Sequence, residues 1–343
     1  MNDVHDIALA KRFDECILRV PEFDNLFKKN PTLYLKAIGI KEDPKWYEYT
    51  IINNRIIAKH AGTPLDQFQK QYIDGIYQII SQNIYSRMIP DNIQFRNWRE
   101  KQNKRCTMNH MPGILHVPLV FELTSGCSVG CEFCGLASKE LKGIYRATPE
   151  HIENFKTMLD IAVNIIGNAA ACGILYYASE PLDNPDYEVF EKIMHEKSGA
   201  YPQITTAIPL RDVARTKRLL ATINQEPNNF HRFSVRDISD VFKIYKEFAP
   251  EEMLYTMIET RFQEFPGTLI KSGKMASKSG FFEGSIACVS GFVVNLIEKT
   301  ISLRSPVSAS KAYPTGEIIY KTKTYRSLFD FDFIMREMIN DYM

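Results

Sequence analysis

The sequence predicts an α/β fold: a partial or full parallel βα barrel with an N-terminal helical extension and a small C-terminal region of β-hairpin and helix. Three observations predict it. From about residue 113, short apolar runs alternate with helical patterns roughly every 25 to 30 residues, which is how a parallel sheet with right-handed crossovers reads. Residues 1–112 lack two-residue alternation and carry three- and four-residue apolar spacing instead. After residue 265 come a polar stretch, two β-rich runs and a last amphipathic segment. These shifts divide the chain into 1–112, 113–265 and 266–343.

In the first segment, Asp66 to Ser86 places Phe68, Tyr72, Ile73, Ile76, Ile79, Ile80 and Ile84 on one helical face. Arg96, Arg99, Lys101, Lys104 and Arg105 around Trp98 could hold an acidic peptide, but a solvated helix face is the favoured reading. In the core segment the expected strands are Val117–Leu123, Gly173–Ala178, Ile204–Ile208 and Phe230–Val235. They alternate with helices Glu150–Val163, Tyr187–Glu196, Arg211–Ile223 and Ile238–Phe248. No Gly-rich GxGxxG turn appears, which favours a barrel over a doubly wound sheet. In the last segment, residues 271–280 are rich in Gly, Ser and Lys and read as a loop. Ser285–Leu296 and Lys299–Arg304 form the hairpin, and Ser327 caps a helix running to about Tyr342.

Composition narrows the class. With 45% hydrophobic and 24% charged residues, the chain is an ordinary folded protein rather than a disordered or fibrous one. A net charge of +1 gives no field to steer it towards nucleic acid or a membrane surface. The N-terminus is charged from its third residue, unlike a secretory signal, and the uncharged run Ile161–Ser179 is broken by Asn164, Gly167, Asn168 and Gly173. Seven cysteines, an odd number with three inside eight residues, suit a metal site in a reducing compartment better than a disulfide framework. The expectation is a cytoplasmic protein with neither a nucleic-acid nor a membrane partner.

The three clustered cysteines carry the chemistry. Cys127-Ser-Val-Gly-Cys131-Glu-Phe-Cys134 is Cys-x3-Cys-x2-Cys, on a glycine-containing loop directly after an expected strand. Three thiolates on such a loop can hold three irons of a [4Fe–4S] cube and leave the fourth iron open. A structural zinc site is the alternative, but zinc takes four closed ligands and no fourth Cys or His stands at finger spacing.

At this motif the chain resembles the radical S-adenosylmethionine (SAM) superfamily. The resemblance implies a [4Fe–4S] cluster on Cys127, Cys131 and Cys134 whose open iron binds SAM, with a flavodoxin or ferredoxin as electron donor. Reduction would cleave SAM to a 5′-deoxyadenosyl radical, the cofactor supplying the difficult chemistry. Phe133 matches the position that packs near adenine, and Ser179-Glu180-Pro181 matches a turn that binds the SAM ammonium. An acidic acceptor such as Glu180 suits an ammonium away from bulk water. Here Ala178 and Ser179 replace the usual two glycines. Ser234 and Arg236, after the fourth expected strand, match contacts to the SAM ribose and carboxylate. Thr205 and Thr206 on the third point to opposite sides.

The finer pattern, over roughly residues 115–320, is similar to the radical SAM peptide epimerases that act on ribosomally made precursor peptides of the proteusin type. It includes Asp183-Asn-Pro-Asp-Tyr187, Arg232-Phe-Ser-Val235, Ala287-Cys-Val-Ser-Gly-Phe-Val-Val-Asn295 and Ser302-Leu-Arg-Ser-Pro306. The implied reaction takes a hydrogen from an amino-acid Cα and returns one from the opposite face, converting L to D. A thiol is a suitable donor, and Cys288 is the first choice among Cys16, Cys106, Cys172 and Cys288 because its segment could fold over the barrel mouth. The family pattern has a cysteine after Ser-Pro where this chain has Val307. If that residue is the donor, the substrate radical could end in a carbon–carbon or thioether crosslink or an oxidation instead. A non-catalytic iron–sulfur or zinc binding protein is the rival from another class.

Overall fold

The computed structural model describes residues 4–53, 55–105, 116–260, 271–277, 284–285 and 287–343. Helices α1 (Val4–Arg19), α2 (Phe23–Lys29) and α3 (Pro31–Ala37) precede strands β1 (Tyr49–Ile52) and β2 (Arg55–Ala58). Helix α4 (Pro64–Gln67) continues through a π-wound stretch, Phe68–Ile76, into α5 (Tyr77–Arg87), and α6 (Ile93–Arg105) follows. Then come β3 (Val117–Glu122), β4 (Thr124–Ser125), β5 (Gly143–Ile144), α7 (Pro149–Ile166), α8 (Tyr187–Ser198) and β6 (Thr205–Thr206). The order continues with α9 (Val213–Ile223), β7 (His231–Val235), α10 (Ile238–Glu247) and β8 (Thr256–Thr260). Strands β9 (Val289–Asn295), β10 (Thr300–Pro306) and β11 (Glu317–Thr324) lead to α11 (Leu328–Tyr342), where the Asp330 N–H donates to the capping Ser327 hydroxyl.

Contacts group these elements into two compact units, Met1–Asn83 with Ala207–Phe265 and Ile84–Thr206 with Pro266–Met343. The segment 113–265 contributes to both. In the first unit, β7 and β8 pair in parallel, His231 opposite Thr256 through Val235 opposite Thr260. Helix α1 lies along β8 and satisfies its main chain with side chains. Lys11 Nζ donates to the Thr256 carbonyl at 2.8 Å, the Ile258 N–H donates to Glu15 Oε1 at 3.1 Å, and Arg19 donates to the Ile258 carbonyl at 3.0 Å. Unpaired strand groups would otherwise recruit another strand or stay unsatisfied. Lys11 and Glu15 also pair at 2.9 Å, and both are buried. Arg12 donates to the carbonyls of Ile38, Tyr245 and Phe248.

The second unit holds a four-stranded sheet in the order β11–β10–β9–β3, antiparallel except for the parallel pair β3–β9. One face packs helices: Phe121 meets Phe155 of α7 at 5.0 Å between ring centroids, and Phe292 meets Phe95 of α6 at 5.6 Å. Because side chains alternate along a strand, Glu122, Asn295, Ser302 and Arg304 share the opposite face. That face carries these polar groups beside Val120 and Val293 and is largely buried, with Glu122 8% and Ser302 3% exposed.

Mixed α/β architecture is therefore what the chain has. Among the described residues the sheets are small and mixed, and no closed parallel barrel is formed by them. The expected strand Gly173–Ala178 is reduced to one parallel bridge, Ile174 opposite Val120. The 3-10 turns Asn168–Cys172 and Pro181–Asp183 leave little chain between them for extended pairing. Ile204–Ile208 shortens to Thr205–Thr206, and the hairpin β1–β2 stands inside the segment expected to be helical. Strands β8 and β11 add to those expected. Arg99 is not solvated: it is 7% exposed and donates to the carbonyls of Ser290, Met88 and His116, while Trp98 is 6% exposed. Among the described residues no helix is long and apolar enough to cross a membrane.

Candidate functional site

The cysteine loop begins where β3 ends. Thr124–Ser125 pairs with Gly143–Ile144, and the Cys127 N–H donates to the Lys139 carbonyl at 2.9 Å, so the loop closes on itself as a narrow ribbon. Gly126 permits that closure. Its φ is +85°, and a Cβ there would stand 2.0 Å from the Glu140 carbonyl oxygen. Cys127, Cys131 and Cys134 are half-buried thiols outside any disulfide, and Phe133 is half-buried between the last two. Backbone N–H groups face two of the sulfurs, Val129 towards Cys127 at 3.5 Å and Ser138 towards Cys134 at 3.4 Å.

The segment after Ile174 brings acidic groups to this loop. Glu180 is 3% exposed and accepts from the Leu182 N–H at 3.1 Å, starting the 3-10 turn Pro181–Asp183. Asp183 accepts from both the N–H (2.8 Å) and the hydroxyl (2.5 Å) of Ser128, the residue after the first cysteine. Burial pushes the Cys127 thiol up; the Val129 and Gly130 N–H groups oppose this, and the charges of Glu180 and Asp183 add to it. Asp183 thus holds the residue after the first cysteine from 55 positions away, and the charge of Glu180 is felt at the same thiol. Asn184, fully buried, donates to the carbonyls of Tyr145 and Leu123 and ties the same segment to the strand end. Asp183 and Asn184 were legible only as part of a family-like motif. Their task, holding the loop, shows in the fold.

Glu122, the last residue of β3, accepts from the Ala178 N–H at 3.1 Å and from Asn295 at 3.3 Å, and burial raises its carboxyl above the usual range. Further along the same sheet face, the Tyr177 hydroxyl donates to Glu317 at 2.9 Å, and Arg304 pairs with Glu317 at 3.1 Å. Ser179 is half-buried beside Glu180. Thr205 accepts from Tyr176 at 2.8 Å, and Thr206 is buried.

Cys288 stands just before β9, at the end of β3 away from the cysteine loop. Its carbonyl accepts from the Val117 N–H at 2.7 Å, at the start of β3, whereas the cysteine loop follows the other end of that strand. The run from Val117 to Glu122 spans about 16 Å at the usual rise of a strand. The thiol is half-buried and within electrostatic reach of Tyr177. Val307 is half-buried, its N–H donating to the Gly316 carbonyl at 3.0 Å beside Glu317. Cys172 is half-buried in its 3-10 turn, and burial pushes it up to about 11. Cys16 is buried in α1 and likewise raised by burial. Cys106 lies outside the described residues.

In the other unit, Ser234 and Arg236 line one cleft of ≈ 400 Å³ at the C-terminal end of β7, together with Ile208–Arg211 and Lys243. Lys243 pairs with Asp240 at 2.8 Å, and Arg211 and Arg236 leave the cleft basic in balance. Its chemistry suits a carboxylate and a sugar hydroxyl.

The residues of the cysteine loop fit an iron–sulfur cluster by their chemistry: three thiols, with N–H donors aimed at two sulfurs. Among the described residues no three Cys, His, Asp or Glu side chains gather round one point as a single metal ion needs. Ligands of a cube each meet a different iron and need no common point.

No family model matches the chain, and no solved structure matches it. It is similar to the uncharacterized protein y4wI of Sinorhizobium fredii, 33% identical over 268 residues. The match takes in 74% of this chain and 52% of that protein, so the chain spans about half the length of the curated relative it matches.

Proposed function

We propose that this chain is a radical SAM enzyme that modifies a ribosomally synthesised peptide, with L-to-D epimerisation as its reaction. One observation carries the class: Cys-x3-Cys-x2-Cys follows the C-terminal end of a buried strand parallel to β9, and Asp183, beside Glu180 in the chain, holds the residue after its first cysteine through two hydrogen bonds. Cys127, Cys131 and Cys134 would hold a [4Fe–4S] cluster, reduced by a flavodoxin or ferredoxin. Bound there with SAM, the cluster supplies a carbon-centred radical able to take hydrogen from an amino-acid Cα.

The chain's own groups have simpler duties. Glu180 accepts hydrogen bonds from an ammonium, and Asp183 fixes the cysteine loop through Ser128. Phe133 and Ser179 border the same loop and turn. Ser234 and Arg236 offer a hydroxyl and a guanidinium to the sugar and carboxylate that SAM carries. Cys288 is the thiol proposed to return hydrogen. Its place beside Val117, together with Val307 in the late hairpin, favours a second reading in which the peptide radical ends in a carbon–carbon or thioether bond.

Anaerobically reconstituted protein, incubated with SAM, reductant and a candidate precursor peptide in deuterium oxide, tests this. The expected products are 5′-deoxyadenosine and a peptide with deuterium at D-residues, and Cys288→Ala stops the deuterium transfer while SAM cleavage continues. Loss of two hydrogens without deuterium establishes the second reading. A reducible cluster that forms no 5′-deoxyadenosine with any tested peptide overturns both.

A further inference from the structure

The polar stretch after residue 265 is described over residues 271–277, and that part lies against the cysteine loop. The Lys274 N–H donates to the Cys134 carbonyl at 3.0 Å, and the Lys274 ammonium donates to the Gly130 carbonyl at 3.3 Å. Gly273 makes the approach possible. Its φ is +55°, and a Cβ there would stand 2.4 Å from the Gly135 carbonyl oxygen and 2.5 Å from that of Cys134. Backbone atoms cannot swing aside as a long side chain can, so any larger residue at 273 forces the two segments apart. The turn is held from behind as well. The Gly273 N–H donates to the Pro314 carbonyl at 2.6 Å, and Ser272 and Met275 are 0% and 1% exposed.

We propose that the turn Ser272–Met275 is a buttress for the cysteine loop, in which Gly273 and Lys274 are positioning residues that hold the arc from Gly130 to Gly135 and keep a cation beside it. A loop carrying three thiolates needs such support, because its ligands are flexible chain until something outside the loop fixes them. The buttress is a property of the chain by itself. Its effect on a cluster rests on the function proposed above: a centre that gains negative charge on reduction is easier to reduce with an ammonium nearby.

Two measurements test this separately. In the metal-free protein, the ratio of Cys134 to Cys127 alkylation by iodoacetamide is read by mass spectrometry under anaerobic reducing conditions. Cys127 is anchored by its N–H on the Lys139 carbonyl, a bond the turn does not make, and serves as the internal reference. The ratio is expected to rise severalfold in Gly273→Val and by a smaller factor in Lys274→Ala, which leaves the backbone approach intact. A ratio that stays at the wild-type value in both variants overturns the buttress, including the case in which both cysteines react faster together. In the reconstituted protein, the midpoint potential is expected to move to more negative values in Lys274→Ala and to return in Lys274→Arg. An unchanged potential in Lys274→Ala overturns the role of the charge. A raised alkylation ratio in a protein that takes up no iron upholds the buttress and rejects the radical SAM reading.

Discussion

Both units bury charged side chains, but their partners differ in kind. In the first, Lys11 pairs with Glu15 and Arg19 with Glu259, and further hydrogen bonds of Lys11, Glu15, Arg12 and Arg19 reach main-chain groups of β8, Ile38, Tyr245 and Phe248. In the second, Glu122, Glu180 and Asp183 accept from the neutral N–H groups of Ala178, Leu182 and Ser128. A charge paired in place completes a fold. Carboxylates held by main-chain N–H groups are fixed in direction by the turns that supply those groups.

Removing the scaffold charge has the largest expected effect. Glu15→Ala leaves Lys11 buried without its partner and the Ile258 N–H without an acceptor, and should lower stability by about 3 to 5 kcal/mol in denaturant titration. Lys11→Met combined with Glu15→Leu should recover part of that loss, because no unpaired ammonium is left buried although the Thr256 carbonyl and the Ile258 N–H lose these partners. In the other unit, Glu180→Gln keeps an acceptor for the Leu182 N–H and removes only the charge. Stability should change by less than about 1 kcal/mol, while SAM-dependent turnover drops tenfold to a hundredfold, about 1.5 to 3 kcal/mol of a charge-assisted bond. Equal losses of stability from the two variants would remove the distinction between the units.

The smallest effect is a dependence on pH. Burial pushes His231 down to about 3 and His116 down to about 4, the latter with help from Arg99, whereas burial and the charge of Glu15 push Asp14 up to about 7. Below the ordinary histidine value the unfolded chain binds protons that the folded imidazoles refuse, so stability falls as pH falls. Asp14 acts in the opposite sense, its folded carboxyl holding a proton that the unfolded one has lost. With two imidazoles against one carboxyl, acidification from pH 6 to 5 should cost about 1.4 kcal/mol, and Asp14→Asn should roughly double that slope in thermal melts at fixed ionic strength.

Helices with strong periodicity were legible from sequence. Those from Glu150, Tyr187, Arg211 and Ile238 stand within a few residues of their expected ends, because three- and four-residue spacing needs no partner to be recognised. Strands fared unevenly. Val117–Leu123 stands nearly as expected, while Gly173–Ala178 is a single bridge, since a strand exists only where another lies at the right distance. The cysteine spacing marked the loop, and Glu180 marked the turn facing it. Nothing in the spacing of Asp183, Asn184, Gly273 or Lys274 told that they hold that loop. Their partners lie between 39 and 144 positions away, and sequence separation carries no distance.

By itself, the sequence determined the local features of this protein: apolar periodicity, helix caps such as Ser327, and three thiols on a loop after a strand. Each follows from the chemistry of neighbouring residues. The tertiary structure alone decided which carboxylates face Cys127, that Cys288 stands at the far end of β3, and that a glycine turn after residue 271 supports the loop. Those depend on register and on the close approach of remote backbones, which become definite only once the sheets and turns are packed.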